Sequence, residues 1–128
     1  MKKAEINSNS VFIGGKEYLP KDEINTKKTS TDGLPYVCIR TYSAGVHFGY
    51  LKEKESTFAG MEVILLEGQR MRYWEGAMDL NVLSTTGSSK PDKCKPSVIV
   101  PEIRLIAIEI IPVSEIAFTN IKSMKIWK

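Results

Sequence analysis

The sequence is short of almost everything from which an active site is built. Its 128 residues hold one histidine, His47, and two cysteines, Cys38 and Cys94, which lie far apart and form no Cys-x-x-Cys pair. A metal centre needs several ligands, and these three side chains do not supply a set with ligand spacing. No Gly-x-Gly-x-x-Gly, Walker loop or His-Glu-x-x-His occurs. Acidic pairs such as Glu53/Glu55 and Glu102/Glu109 lack the spacing of a glycosidase pair or a two-metal site. An enzyme would have to be assembled around His47 with Tyr50 or Tyr42, and nothing in the residue order orients such a ring. The expectation is no catalytic group, no metal and no cofactor.

Charge of one sign is also scarce. The net charge is +3 and the pI about 8.8. Duplex-DNA binding draws its affinity from a clear basic excess, so this balance argues against sequence-specific nucleic-acid recognition. Long apolar runs are missing too. The longest, residues 105–113, is broken by Glu109 and falls short of a bilayer span. Lys2-Lys3 is not followed by an apolar h-region, so no secretory leader is expected. These points lead to a soluble protein in a reducing cytoplasm, with Cys38 as a small core filler and no membrane partner.

What is present is ordinary globular material, 42% hydrophobic and 26% charged, enough for one core. Residues 1–33 read as a polar, lysine-rich arm or linker, with a small hairpin suggested by Val11–Ile13, Gly14-Gly15 and Tyr18-Leu19. Residues 34–128 read as a single compact α+β domain, strand-rich and mainly antiparallel, with one or two short helices. Tyr36–Tyr42 and Val46–Leu51 alternate with period two, and Ser43-Ala44-Gly45 between them makes a hairpin loop. Lys52–Thr57 reads as a charged loop. Met61–Leu66 is the next strand, Gly68 a bulge or turn, and Gln69–Trp74 a strand. Ala77–Thr86 predicts a helix that buries Leu80 and Leu83 and ends at Gly87. Gly87–Pro96 is a polar loop. Ile103–Ile111 is apolar on both parities, which predicts a central strand covered on both faces. Ser114 caps a second helix, stapled by Val113 and Phe118 and ending near Ser123, and Met124–Lys128 closes as an edge strand.

The segment with most to say is Arg70-Met71-Arg72-Tyr73-Trp74. The chain has four arginines, at 40, 70, 72 and 104, and two are here. In an extended strand Arg70, Arg72 and Trp74 share one face. Two guanidinium forks beside an indole suit a phosphate, a base or a partner protein. The competing reading is a solvated face whose arginines pair with Glu62, Glu75 or Glu102. Lys90–Lys95 would widen a positive patch. Arg70, Arg72 and Trp74, with Arg40 and His47, form the expected ligand- or partner-binding set.

Several stretches carry a family resemblance. They are Ile39–Leu51 (IRTYSAGVHFGYL), Arg70–Ala77 (RMRYWEGA), Ser89-Lys90-Pro91 with Cys94-Lys95, Val100–Ile103 with Ile108–Pro112, and the closing Trp-Lys pair. From Val37 onward the chain resembles a family of small phage and prophage proteins of unknown function. Met71 departs from it, standing where a more β-favouring residue is expected. The resemblance implies a phage origin and an accessory role, and it transfers no site residue. The residues and the resemblance together predict a non-enzymatic, phage-encoded accessory binding protein acting in the cytoplasm of the infected bacterium, with counter-defence as one such role. Its partner would be a host protein or an anionic, nucleotide-like ligand, and the chain is expected to form a homo-oligomer. The alternative is a structural virion component, such as a minor capsid, decoration or head–tail protein.

Overall fold

A computed structural model describes residues 33–128. The expected arm before residue 33, with its Gly14-Gly15 hairpin, lies outside the described residues. Four antiparallel strands follow one another: β1 (Tyr36–Thr41), β2 (Val46–Thr57), β3 (Gly60–Met71) and β4 (Pro96–Pro112). Each pairs with the next, and β4 returns to pair with β1, so the sheet closes into a small barrel. Two short helices, α1 (Leu80–Thr85) and α2 (Glu115–Lys122), complete a strand-rich α+β domain.

Strand alternation divides the apolar residues between two clusters. Val37 and Ile39 of β1 point into the barrel, where they meet Val63, Leu65, Leu105 and Ala107. Tyr36 and Cys38 point the other way, into a layer with Phe48, Tyr50, Leu83, Val113 and Ala117. Tyr36 is the hub of that layer: its ring lies 4.7 Å from Phe118 and 5.0 Å from Tyr50, both edge-on, the favoured geometry for aromatic pairs.

The β1–β2 hairpin forms as the sequence predicts, with Gly45 at φ +85° in its loop. Gly87 and Ser114 stand at the helix ends where the sequence places them, whereas the Asp79 cap is unexpected. Asp79 accepts from the Val82 amide at 3.0 Å and starts α1 a turn later than expected, while Gly87 at φ +83° ends it. Ser114 accepts from the Ala117 amide at 3.0 Å and caps α2.

Four expectations are corrected. Lys52–Thr57 is a strand rather than a loop, because its backbone pairs with Gly60–Ile64 and the apolar residues of β3 supply the burial. Ile103–Ile111 is not covered on both faces. The barrel takes Leu105 and Ala107, while Ile106 and Ile108 stand exposed outside. Met124–Lys128 adds no edge strand, although the Trp127 amide donates to the Pro96 carbonyl at 2.8 Å. The strand over Gln69–Trp74 stops at Met71.

Bulges set the barrel's curvature. Between Phe48 and Tyr50 of β2 the partner changes from Gln69 to Leu66, so β3 carries an extra residue at Glu67-Gly68. Glu67 sits there at φ +53°.

The polar loop after α1 is pinned to α2 by one side chain. Asn120 Oδ1 accepts from the Ser88 amide at 2.9 Å, and its Nδ2 donates to the Ser88 carbonyl at 2.8 Å. Ser88 is buried, so Asn120→Ala leaves two main-chain groups without partners. A loss of about 2 kcal/mol is expected by urea denaturation. Asn120→Asp keeps the acceptor, loses the donor and should fall between.

Candidate functional site

The five side chains singled out in the sequence do not share a surface. They separate into a cavity at one end of the barrel, a groove beside α1, and one exposed arginine that lines neither.

The cavity is built on strand register. His47 of β2 and Arg70 of β3 are direct cross-strand partners, so their side chains leave the ladder on the same face. Gly68 lies two residues before Arg70 on that face. A Cβ at Gly68 would come within 2.7 Å of Ile103 Cγ2, so glycine is what lets β3 and β4 approach here. The first half of β4, Pro96–Glu102, pairs with β3 but not with β1, whose partners on β4 begin at Ala107. A cavity of about 220 Å³, open to one side, lies in this region, lined by His47, Gly68, Arg70, Ser97, Val98, Val100 and Ile103.

His47 is buried, and its Nε2 lies 2.8 Å from the Ala44 carbonyl oxygen. A carbonyl can only accept, so Nε2 carries the proton and Nδ1 keeps its lone pair in the neutral ring. Burial holds the imidazole below its ordinary value and the nearby Arg70 charge pushes the same way, while the Ala44 hydrogen bond opposes them. The folded ring is therefore harder to protonate than the unfolded one, whose value is 6.5. The unfolded chain binds the extra proton, so this ring's stabilising contribution is complete above that value and is lost as pH falls through the folded-state value. Thermal unfolding should show a Tm that drops below pH 6.5. His47→Gln, which can still donate to Ala44, should flatten that drop. An unchanged slope would count against the buried neutral ring.

The groove holds the other pair. Arg40 and Trp74 line an open space of about 430 Å³ with Val46, Met78, Asn81 and Glu109. Arg40 Nε donates to Glu109 Oε1 at 2.9 Å across the β1–β4 pair. Trp74 is half-buried: it packs against the outer core cluster, and its Nε1 donates to the Ala77 carbonyl at 3.3 Å. It does not share a strand face with Arg70 and Arg72, because β3 has already ended. Met78 is 92% exposed on the groove's rim.

Arg72 is exposed, and neither it nor Arg70 has an ion-pair partner among the described residues. The pairs between strands that do form are Arg104 with Glu62 at 3.7 Å, Arg40 with Glu109, and Lys52 with Glu102 at 3.9 Å. Lys95 does not extend a patch around Arg70; its ammonium sits 4.7 Å from the Trp127 ring centre and 5.7 Å from that of Tyr73. Sequence reasoning missed Gly68, Val100 and Met78 as site residues. Of these, Met78 carried a signal, as an apolar side chain just ahead of the helix cap.

Neither tyrosine considered beside His47 meets it. Tyr50 faces the opposite side of β2, in the outer layer, and Tyr42 is 92% exposed in the hairpin loop. Cys38 is buried, and burial pushes its thiol up to about 12, so it stays protonated. No three His, Cys, Asp or Glu side chains among the described residues are grouped to hold a metal ion. No helix among them is long and apolar enough to cross a membrane.

Residues 34–121 match a family described as a domain of unknown function, DUF6948. No curated protein and no solved structure matches the chain. The family match covers most of the chain, and the protein belongs to the DUF6948 family.

Proposed function

We propose that this DUF6948 member is a phage-encoded, non-catalytic binding protein that engages a host protein in the cytoplasm of the infected cell, in a counter-defence or similar accessory role. The observation that carries the reading is the groove beside α1. A half-buried tryptophan, an arginine and a fully presented methionine border one concave surface. Trp and Arg are the side chains that most often anchor protein interfaces, and methionine adapts its shape to a partner. The phage setting rests on the sequence resemblance, and counter-defence on small size and the lack of catalytic motifs.

Affinity purification from infected cells, with quantitative comparison of variants, tests this. One host protein should co-purify in stoichiometric amount with the native chain and drop at least tenfold with Met78→Asp. Met78 is exposed, so that change should leave the fold intact. Equal recovery with both chains refutes the groove.

A second reading, a virion component, draws on a different surface. Ile106 and Ile108 stand exposed on the outside of β4, and Phe58 is fully exposed at the β2–β3 turn. Apolar side chains presented together favour assembly, including a homo-oligomer. Mass spectrometry of purified particles decides: absence of the chain removes this reading.

A further inference from the structure

The cavity at the His47 end of the barrel has the makings of a small-molecule site that is separate from the groove. Its wall carries an arginine with no ion-pair partner among the described residues. It also carries a buried imidazole whose Nε2–H is already committed to the Ala44 carbonyl. Nδ1 of that ring makes no hydrogen bond to the described residues, and with Nε2 protonated it can only accept. The remaining wall is mostly apolar: Val98, Val100 and Ile103 line it with the single polar residue Ser97, and Gly68 contributes no side chain.

Size limits the occupant. An apolar cavity of about 150 Å³ accommodates a benzene, and drug-sized ligands occupy roughly 300–1,000 Å³. At about 220 Å³ this space suits one ring with small substituents. A whole nucleotide would have to project beyond it, so what the pocket itself holds is a smaller group. A guanidinium matches a planar carboxylate with two parallel hydrogen bonds.

We propose that this cavity binds a monocyclic aromatic carboxylate: Arg70 takes the carboxylate, Val98, Val100 and Ile103 contact the ring, and Nδ1 of His47 accepts an O–H or N–H carried by it. The site extends the binding reading to a second surface and stands whether or not the Trp74 groove holds a partner.

Three probes separate the contributions in an NMR titration of the full chain at low salt. The first is 4-hydroxybenzoate, which has ring, charge and donor. Benzoate lacks the donor, and 4-hydroxybenzamide lacks the charge. 4-Hydroxybenzoate should bind and move the amide signals of Gly68 and Val100. Each of the other two should bind roughly tenfold or more weakly, as expected for loss of a buried or charge-assisted hydrogen bond. Arg70→Gln should weaken 4-hydroxybenzoate by a similar factor with the rest of the spectrum retained, and Arg72→Gln should not. The proposal is overturned by absence of binding, by equal affinity for all three probes, by shifts confined to residues outside the cavity, or by an Arg70→Gln chain that binds like the native one.

Discussion

Gly76→Ala should lower stability by about 3 kcal/mol or more, one of the largest single-residue effects in this chain. Gly76 sits at φ +83°, where a side chain costs about 1–2 kcal/mol. An added Cβ would also fall 2.6 Å from the Lys90 amide nitrogen and 2.9 Å from that of Ser89. Those are main-chain atoms held in place. The Ser89 amide donates to the Gly76 carbonyl at 2.9 Å, and the Ser88 hydroxyl donates to the Glu75 carbonyl. The strap joining the segment after β3 to the loop after α1 would have to open. Gly45 is the control, because it has nearly the same backbone angle, φ +85°, and nothing within 4 Å of the added carbon. Gly45→Ala should therefore cost the backbone part alone. Differential scanning calorimetry should show a Tm fall of roughly 12–24 °C for Gly76→Ala and about one-third to two-thirds of that for Gly45→Ala. Equal falls would refute the crowding.

Leu65→Ala should cost about 3–5 kcal/mol. Leu65 is fully buried in the barrel, among Val37, Ile39, Val63, Leu105 and Ala107. The β2 and β3 backbones are already close beside it, since a Cβ on Gly49 would lie 3.1 Å from the Leu66 carbonyl oxygen and 3.2 Å from Gly68 Cα, so the strands have little room to move closer. The missing side chain therefore leaves a void rather than a repacked core. In urea the midpoint should move sharply with the slope unchanged. Ile106→Ala, on the exposed face of the same barrel, should cost under about 1 kcal/mol. A similar loss at both positions would mean that Ile106 is covered in solution, which points to association of copies through the outer face of β4.

Local chemistry was legible in the sequence wherever one residue decides one conformation. Gly45 in the first hairpin, Ser114 at the start of α2 and Gly87 at the end of α1 all stand where turn and cap rules put them. Pairing was less legible. Lys52–Thr57 has no apolar alternation, because the burial of that hairpin is carried by its partner. The start of β4 was hidden by Pro96 and Pro101. Pro101 falls at the level of the Glu67 bulge, between the Leu66–Glu102 and Gly68–Val100 pairs, where the ladder asks nothing of its missing N–H. The cavity was half legible. His47 stood out as the lone histidine and Arg70 as part of an arginine cluster, for unrelated reasons. Their meeting depends on register, which the bulge at Glu67-Gly68 shifts by one residue. Trp74 shows the converse: extrapolating the strand three residues beyond Met71 placed it on the wrong surface.

Closure of the barrel is incomplete at two places, and the composition of each explains why the protein can tolerate it. Among the described residues, β2 beyond Leu51 has a neighbour on one side alone, and so has β4 before Ala107. Bare strand edges invite another chain to add a strand, the first step of edge-to-edge aggregation. The β2 edge is the alternating Lys52-Glu53-Lys54-Glu55 run, and the β4 edge carries Pro96 at its start and Pro101 five residues on, with Ser97–Val100 between them. Charge guards one side and missing donors guard the other. Strand addition is thereby disfavoured at the charged edge and at each proline.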